Sequence, residues 1–93
     1  MADKKIINPQ AIECEVTDLD GKKKILTAKC ISRKNIKDYV EAMAKADMAP
    51  IEDQVSLQME WIFGGTVEDY DNYDVRTLRA AVTYFNDQMK NPT

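Results

Sequence analysis

The sequence predicts an α+β fold in which an N-terminal β-hairpin is followed by three to four α-helices, with most of the chain helical. Two observations carry this prediction. Apolar and polar residues alternate on either side of a turn signal in the first third of the chain, as in a half-buried hairpin. The rest of the chain repeats apolar residues at helical spacing between capping signals. Because 93 residues is the length of one domain, we expect a single domain with a flexible arm at 1–9, the hairpin at 10–31 and the helical part at 32–93.

The register of the hairpin follows from its turn, at residues 18–22. A two-residue loop would pair Val16 with Ile25 and turn polar residues toward the core. A three-residue loop ends in Gly21, which supplies the left-handed conformation of a G1 bulge, and pairs Val16 with Lys24. This second register is favoured because it gathers the apolar residues on one face. Those residues are Ile12, Cys14, Val16, Leu26, Ala28 and Cys30.

The two cysteines share this face but lie about four residues out of step. At about 3.3 Å per residue, Cys14 and Cys30 are too far apart for a disulfide. We therefore expect two reduced thiols that act as small buried hydrophobes.

The first helix is expected from Arg33 to Ala46, with Ser32 as its N-cap. Pro50 is placed to open the second helix, which runs to about Phe63. The predicted core-facing residues of the first helix are Ile36, Tyr39, Val40 and Met43. Those of the second are Ile51, Val55, Met59, Ile62 and Phe63. Leu57 and Trp61 lie on another side of the second helix, so that helix is either central or covered by a partner.

Two glycines, Gly64 and Gly65, end the second helix. Thr66 and Asp69 form a loose capping box for a single helical turn at about 67–71. Asp74 then caps the last helix, whose apolar seam repeats at three- and four-residue spacing. The seam residues are Val75, Leu78, Val82, Phe85 and Met89.

Composition argues against an enzyme. The chain has no histidine, the commonest general base and metal ligand. In the acidic cluster at 69–74, a calcium loop that began at Asp69 would need an oxygen ligand at its fifth position, glycine at its sixth and glutamate at its twelfth. The sequence has Tyr73, Asp74 and Ala80 at these positions. Neither a signal peptide nor an apolar stretch long enough to cross a bilayer is visible. We therefore expect no catalytic residues, no cofactor, no metal site and no membrane contact.

Nucleic-acid binding is disfavoured by the net charge of −3 and the pI of about 4.9. Two basic clusters nevertheless keep one alternative open, a small nucleic-acid-binding regulator that uses the basic hairpin. These clusters are Lys22–Lys24 and the group of Arg33, Lys34 and Lys37.

What remains is binding of another protein through large, adaptable side chains. Methionine and aromatic residues are enriched on surfaces that accept several partner sequences. The candidate partner-binding residues are Met43, Met48, Leu57, Trp61, Tyr84 and Met89. The alternative is that a small helical domain needs such residues in its own core, and for Trp61 the two interpretations weigh equally.

The order of elements and one short motif resemble the tail assembly chaperones of long-tailed bacteriophages. In that family a helix often ends in an aromatic residue followed by Phe-Gly, then a Thr or Ser cap with acidic residues, then a final helix. The resemblance covers roughly residues 25–89, and the basic hairpin turn aligns with nothing in the family. The matching positions are Phe63, Gly64, Thr66, Glu68 and Asp69.

The resemblance implies a function as a chaperone. Such proteins bind the long helical tape measure protein and keep it soluble while the tail tube forms around it, so the tail tube protein is a second implied partner. The resemblance also implies self-association, action in the host cytoplasm and absence from the mature virion. An apolar helix of the partner would lie on the exposed Met and aromatic positions.

Overall fold

The computed structural model describes residues 11–90, apart from the side chain of Lys90. The arm expected at residues 1–9 lies outside this range. The α+β prediction is confirmed, because a two-stranded antiparallel hairpin precedes three α-helices that make up most of the described chain. The strands are β1 (Ile12–Thr17) and β2 (Lys23–Ala28), and the helices are α1 (Ile36–Asp47), α2 (Ile51–Phe63) and α3 (Val75–Lys90). Two short 3₁₀ turns, Arg33–Asn35 and Val67–Tyr70, precede α1 and α3.

The hairpin has the register predicted from the three-residue loop. Val16 lies opposite Lys24, and Gly21 has a φ of 85°. The Asp18 carboxylate accepts the amide hydrogens of Asp20 and Lys22, each at 2.9 Å, which fixes the turn.

The second strand ends three residues earlier than expected. The Lys29 N–H donates to the carbonyl of Ile62 at the end of α2 rather than to β1. The chain therefore leaves the sheet after Ala28, and Cys30 is exposed. The prediction that Cys30 is a buried hydrophobe is wrong for this reason, whereas Cys14 is half-buried on the core face and both thiols are free.

The core lies between the hairpin and two helices. β1 packs on α3, β2 packs on α2, and α1 covers the other side of α2. Phe85 and Met59 are fully enclosed at its centre. The remaining core residues are Val16, Leu26, Ala28, Val55, Ile62, Tyr70, Leu78, Ala81 and Val82.

The helix starts follow the capping signals with small shifts. The Ser32 hydroxyl accepts the Asn35 N–H at 3.2 Å, so the cap is confirmed, although a 3₁₀ turn intervenes before α1 begins at Ile36. Pro50 precedes α2 as its N-cap rather than being its first residue. Its carbonyl accepts the Asp53 N–H.

Four residues expected on the core-facing stripes are exposed instead. Ile36, Ile51 and Val75 are the first residues of their helices. Val40 lies inside α1, between the packed residues Tyr39 and Met43, and is exposed as well. Periodicity identifies the apolar side of a helix but not how far the covering elements extend along it. These residues are Ile36, Val40, Ile51 and Val75.

Candidate protein-binding surfaces

Four of the exposed apolar side chains lie along α1 and the turn after it. Ile36 and Val40 are one helical turn apart, Met48 directly follows α1 as its C-cap, and Ile51 begins α2. Their exposed fractions reach 88% for Met48 and 75% for Ile51. We call these four residues the α1 apolar strip. The strip is a surface on which another polypeptide can bury apolar area that this chain leaves in water.

The predicted partner-binding residues fall into two groups. Met48 and Tyr84 are exposed. Met43, Leu57, Trp61 and Met89 are half-buried, and all of these except Leu57 pack against the core cluster.

Trp61 contacts two distant parts of its own chain. Its ring is tilted against Tyr39 of α1, with 5.4 Å between ring centroids, and the Lys29 ammonium lies 4.1 Å from the ring centre. The Tyr39 hydroxyl in turn donates to Asn86 Oδ1 of α3. Trp61 is therefore a packing residue with part of its surface open to solvent.

Tyr84 lies on a different side of the molecule from Trp61. Successive residues of a helix are 100° apart, so Tyr84 and Asn86 lie on opposite flanks of the buried Phe85. Asn86 contacts Tyr39 and so faces the Trp61 side. The structure does not bring the six predicted residues into one surface.

Tyr84 instead lines a groove of about 610 Å³ between β1 and α3. β1 contributes one wall, and the small residues of α3 form the floor. No residue of β2 lines it, so the groove lies on the side of β1 away from β2. The lining residues include Cys14, Glu15, Val16, Thr77, Ala80 and Tyr84.

The only arginine that lines the groove, Arg76, is hydrogen-bonded to the carboxylate of Asp74. Asp74 accepts two hydrogen bonds from the Arg76 guanidinium, at 2.9 and 3.1 Å. These bonds, together with the Arg76 N–H, hold the pKa of the Asp74 carboxyl at about 2. Burial raises the pKa of the Cys14 thiol, which disfavours the nucleophilic thiolate.

The two basic clusters are separated by the length of a strand. Lys22–Lys24 begins β2, while Arg33 and Lys34 follow its end. Six strand residues span about 20 Å. Lys23 also lies 3.8 Å from the Glu15 carboxylate across the hairpin. The clusters do not form one continuous basic surface, which weighs against the nucleic-acid alternative.

Residues 11–90 contain no group of three or more acidic or cysteine side chains that could hold a metal ion. Within the same range, no helix is long and apolar enough to cross a membrane. Comparison with protein-family models, curated proteins and solved structures gives no match to the chain.

Sequence reasoning missed the α1 apolar strip, apart from Met48, because it assigned the other three residues to the core. Ile36 and Ile51 are the first residues of their helices, and that position is the signal that could have identified them. Val40, inside α1, carried no such signal. The groove could not be predicted from the sequence, because it depends on the position at which β1 packs on α3.

Proposed function

We propose that this chain is a non-enzymatic chaperone that binds a polypeptide partner through exposed apolar side chains. The α1 apolar strip carries this proposal. Full burial of an exposed apolar side chain of this size contributes about 1.5–3 kcal/mol, and the contribution is smaller for Ile36 and Val40, which this chain already covers in part. A helical partner with apolar residues at three- and four-residue spacing matches such a strip.

The specific form of the proposal is a phage tail assembly chaperone. The support is the resemblance of the motif at 61–69 and of the element order to that family. The partner would then be the tape measure protein, with the tail tube protein as a second partner and self-association of the chaperone. The site of action would be the host cytoplasm, and the mature virion would lack the protein.

The test is co-expression with the tape measure protein of the same phage. The wild-type chain should raise the soluble fraction of that protein and elute with it on gel filtration. A variant carrying Val40→Gln, Met48→Gln and Ile51→Gln should lose both effects while keeping its helical circular dichroism. The matched control carries Leu19→Gln and Ile25→Gln, because these residues are exposed to a similar degree on the hairpin.

Equal activity of the strip variant and the wild-type chain would show that the strip is not the binding surface. If the wild-type chain forms no soluble complex with the tape measure protein, the chaperone function itself is contradicted.

A further inference from the structure

The groove between β1 and α3 lies beside an unpaired strand edge. The sheet formed by residues 11–90 has two strands, and no described residue continues it beyond β1. The Asp18 N–H donates to the Lys22 carbonyl, toward β2. Because this direction alternates along an antiparallel strand, the backbone groups of Glu13, Glu15 and Thr17 point away from β2.

The helix layer is wider than the sheet above it. Neighbouring strands are about 4.8 Å apart, whereas packed helices are 8–10 Å apart. Since β1 packs on α3 and β2 packs on α2, this difference in spacing leaves part of α3 beyond the edge of β1. The groove of about 610 Å³ lies over that part, because residues of β1 and α3 line it and no residue of β2 does.

We infer that the groove binds an extended segment of a partner protein, which adds to β1 as a third strand. The outward amide and carbonyl groups of β1 would pair with the segment's backbone. Alternate side chains of the segment would point down into the groove, onto Thr77, Ala80 and Ala81. Small or medium apolar side chains fit this floor.

The charges on the solvent face of β1 determine which side chains suit the solvent-facing side of the bound segment. Glu13 and Glu15 project from the solvent face of β1, where Glu15 also lies 3.8 Å from Lys23 of β2 in an exposed and therefore weak ion pair. Arg76, on the side of the groove, is held by Asp74. A strand beside β1 would therefore place every second side chain next to a carboxylate. Lysine or arginine at these positions forms favourable cross-strand pairs. The occupant is a segment that alternates basic and small apolar residues.

A second folded copy of this chain fits the edge poorly. Antiparallel pairing of two β1 strands about a two-fold axis at Glu15 would place like charges opposite each other. Any copy that continued the sheet would also bring its own helices into the space that α3 occupies. An extended segment without an attached helix layer avoids both conflicts.

The probe is a six-residue peptide, acetylated and amidated, that alternates lysine with alanine and valine. Titration into the ¹⁵N-labelled chain should shift the amide signals of Glu13, Glu15 and Thr17 and slow their exchange with deuterium. A peptide with glutamate in place of lysine should bind about tenfold more weakly or not at all, since it meets the carboxylates of β1.

Two pairs of variants separate edge pairing from general destabilisation. Glu15→Pro removes an outward N–H of β1, and Thr27→Pro removes the equivalent outward N–H of β2. Ala80→Trp fills the groove, and Ala44→Trp adds the same side chain on α1. Only Glu15→Pro and Ala80→Trp should weaken peptide binding, by about tenfold or more.

Equal effects within either pair, or equal binding of both peptides, would overturn the inference. So would slow exchange of the Glu13 and Glu15 amides in the dilute chain without peptide, because the chain or a second copy would then occupy the edge. The result is independent of the proposed function. Loss of peptide binding would leave the co-expression experiment on the α1 apolar strip unaffected.

Discussion

Asp74 shows how a single exposed residue couples the start of a helix to pH. Its carboxylate accepts the backbone N–H of Arg76 at 2.8 Å and two further hydrogen bonds from the guanidinium of the same residue. Both interactions favour the charged form of the carboxyl, and the side-chain hydrogen bonds have the larger effect. They lower the pKa of the carboxyl from its ordinary 3.8 to about 2.

We expect Asp74 to contribute stability that depends on pH in the acid range. Because its pKa is lower in the folded chain, the contribution is complete above about pH 4 and is lost as pH falls toward 2. Asp74→Asn, which can still cap α3, should lower the melting temperature at pH 6 and much less at pH 2, where the folded carboxyl is about half protonated. Thermal melts by circular dichroism measure this difference. Arg76→Gln should show the same pH dependence, and a constant difference across the range would contradict the assignment.

At the scale of elements, the connection from α2 to α3 depends on two glycines and a cap. Gly64 and Gly65 have φ angles of 88° and 84°, where a residue with a side chain is strained. Asp69 Oδ2 accepts the Thr66 N–H at 2.9 Å, and a Cβ on Gly65 would lie 2.7 Å from this oxygen. Gly65 thus has both a backbone and a steric reason to be glycine.

A double-mutant cycle tests the steric part. Gly65→Ala should destabilise the chain both through its backbone and by displacing Asp69 from its cap, a loss of about 1 kcal/mol for the cap alone. In an Asp69→Ala background the second cost is absent. The two substitutions should therefore be less than additive by about 1 kcal/mol in urea unfolding. Additive effects would show that Asp69 moves aside without cost.

The hairpin was predictable in detail because two independent signals agree. The position of Gly21 and the sharing of one face by the apolar residues select the same register, and a slip by one residue would break both. The cap at Ser32 and the capping box at Thr66 were predictable because they are local. The end of β2 was not, because it depends on a hydrogen bond from Lys29 to Ile62, far along the chain.

The candidate site was less predictable than the fold. Whether an apolar residue of a helix is buried depends on what packs over it, and this is not a local property. Val40 and Ile62 both lie on apolar helix faces, yet only Ile62 is covered. Met48, one of the candidate partner-binding residues, is exposed and lies between two helices. Strand addition at β1 could not be anticipated, because it depends on the relative widths of the two layers.

At the scale of the whole molecule, one cluster of side chains joins elements that are distant in sequence. Trp61 of α2 packs against Tyr39 of α1 and beneath Lys29, which follows β2. Tyr39 also packs against Phe85, with ring centroids 6.0 Å apart, and donates to Asn86. The cluster therefore connects all three helices with the end of the sheet.

Trp61→Ala separates the role of this cluster in stability from a role in binding. We expect it to lower the free energy of unfolding by about 2 kcal/mol, less than for a fully enclosed tryptophan because the ring is half-exposed. Helical circular dichroism at 25 °C should remain, and the complex with the tape measure protein should weaken. Tyr39→Phe is the matched control, because it removes the hydrogen bond to Asn86, worth about 1 kcal/mol, without altering the exposed apolar surface. If Tyr39→Phe weakens the complex as much as Trp61→Ala does for the same loss of stability, Trp61 affects binding only through the fold. If Tyr39→Phe weakens it less, the solvent-exposed part of the Trp61 ring contacts the partner.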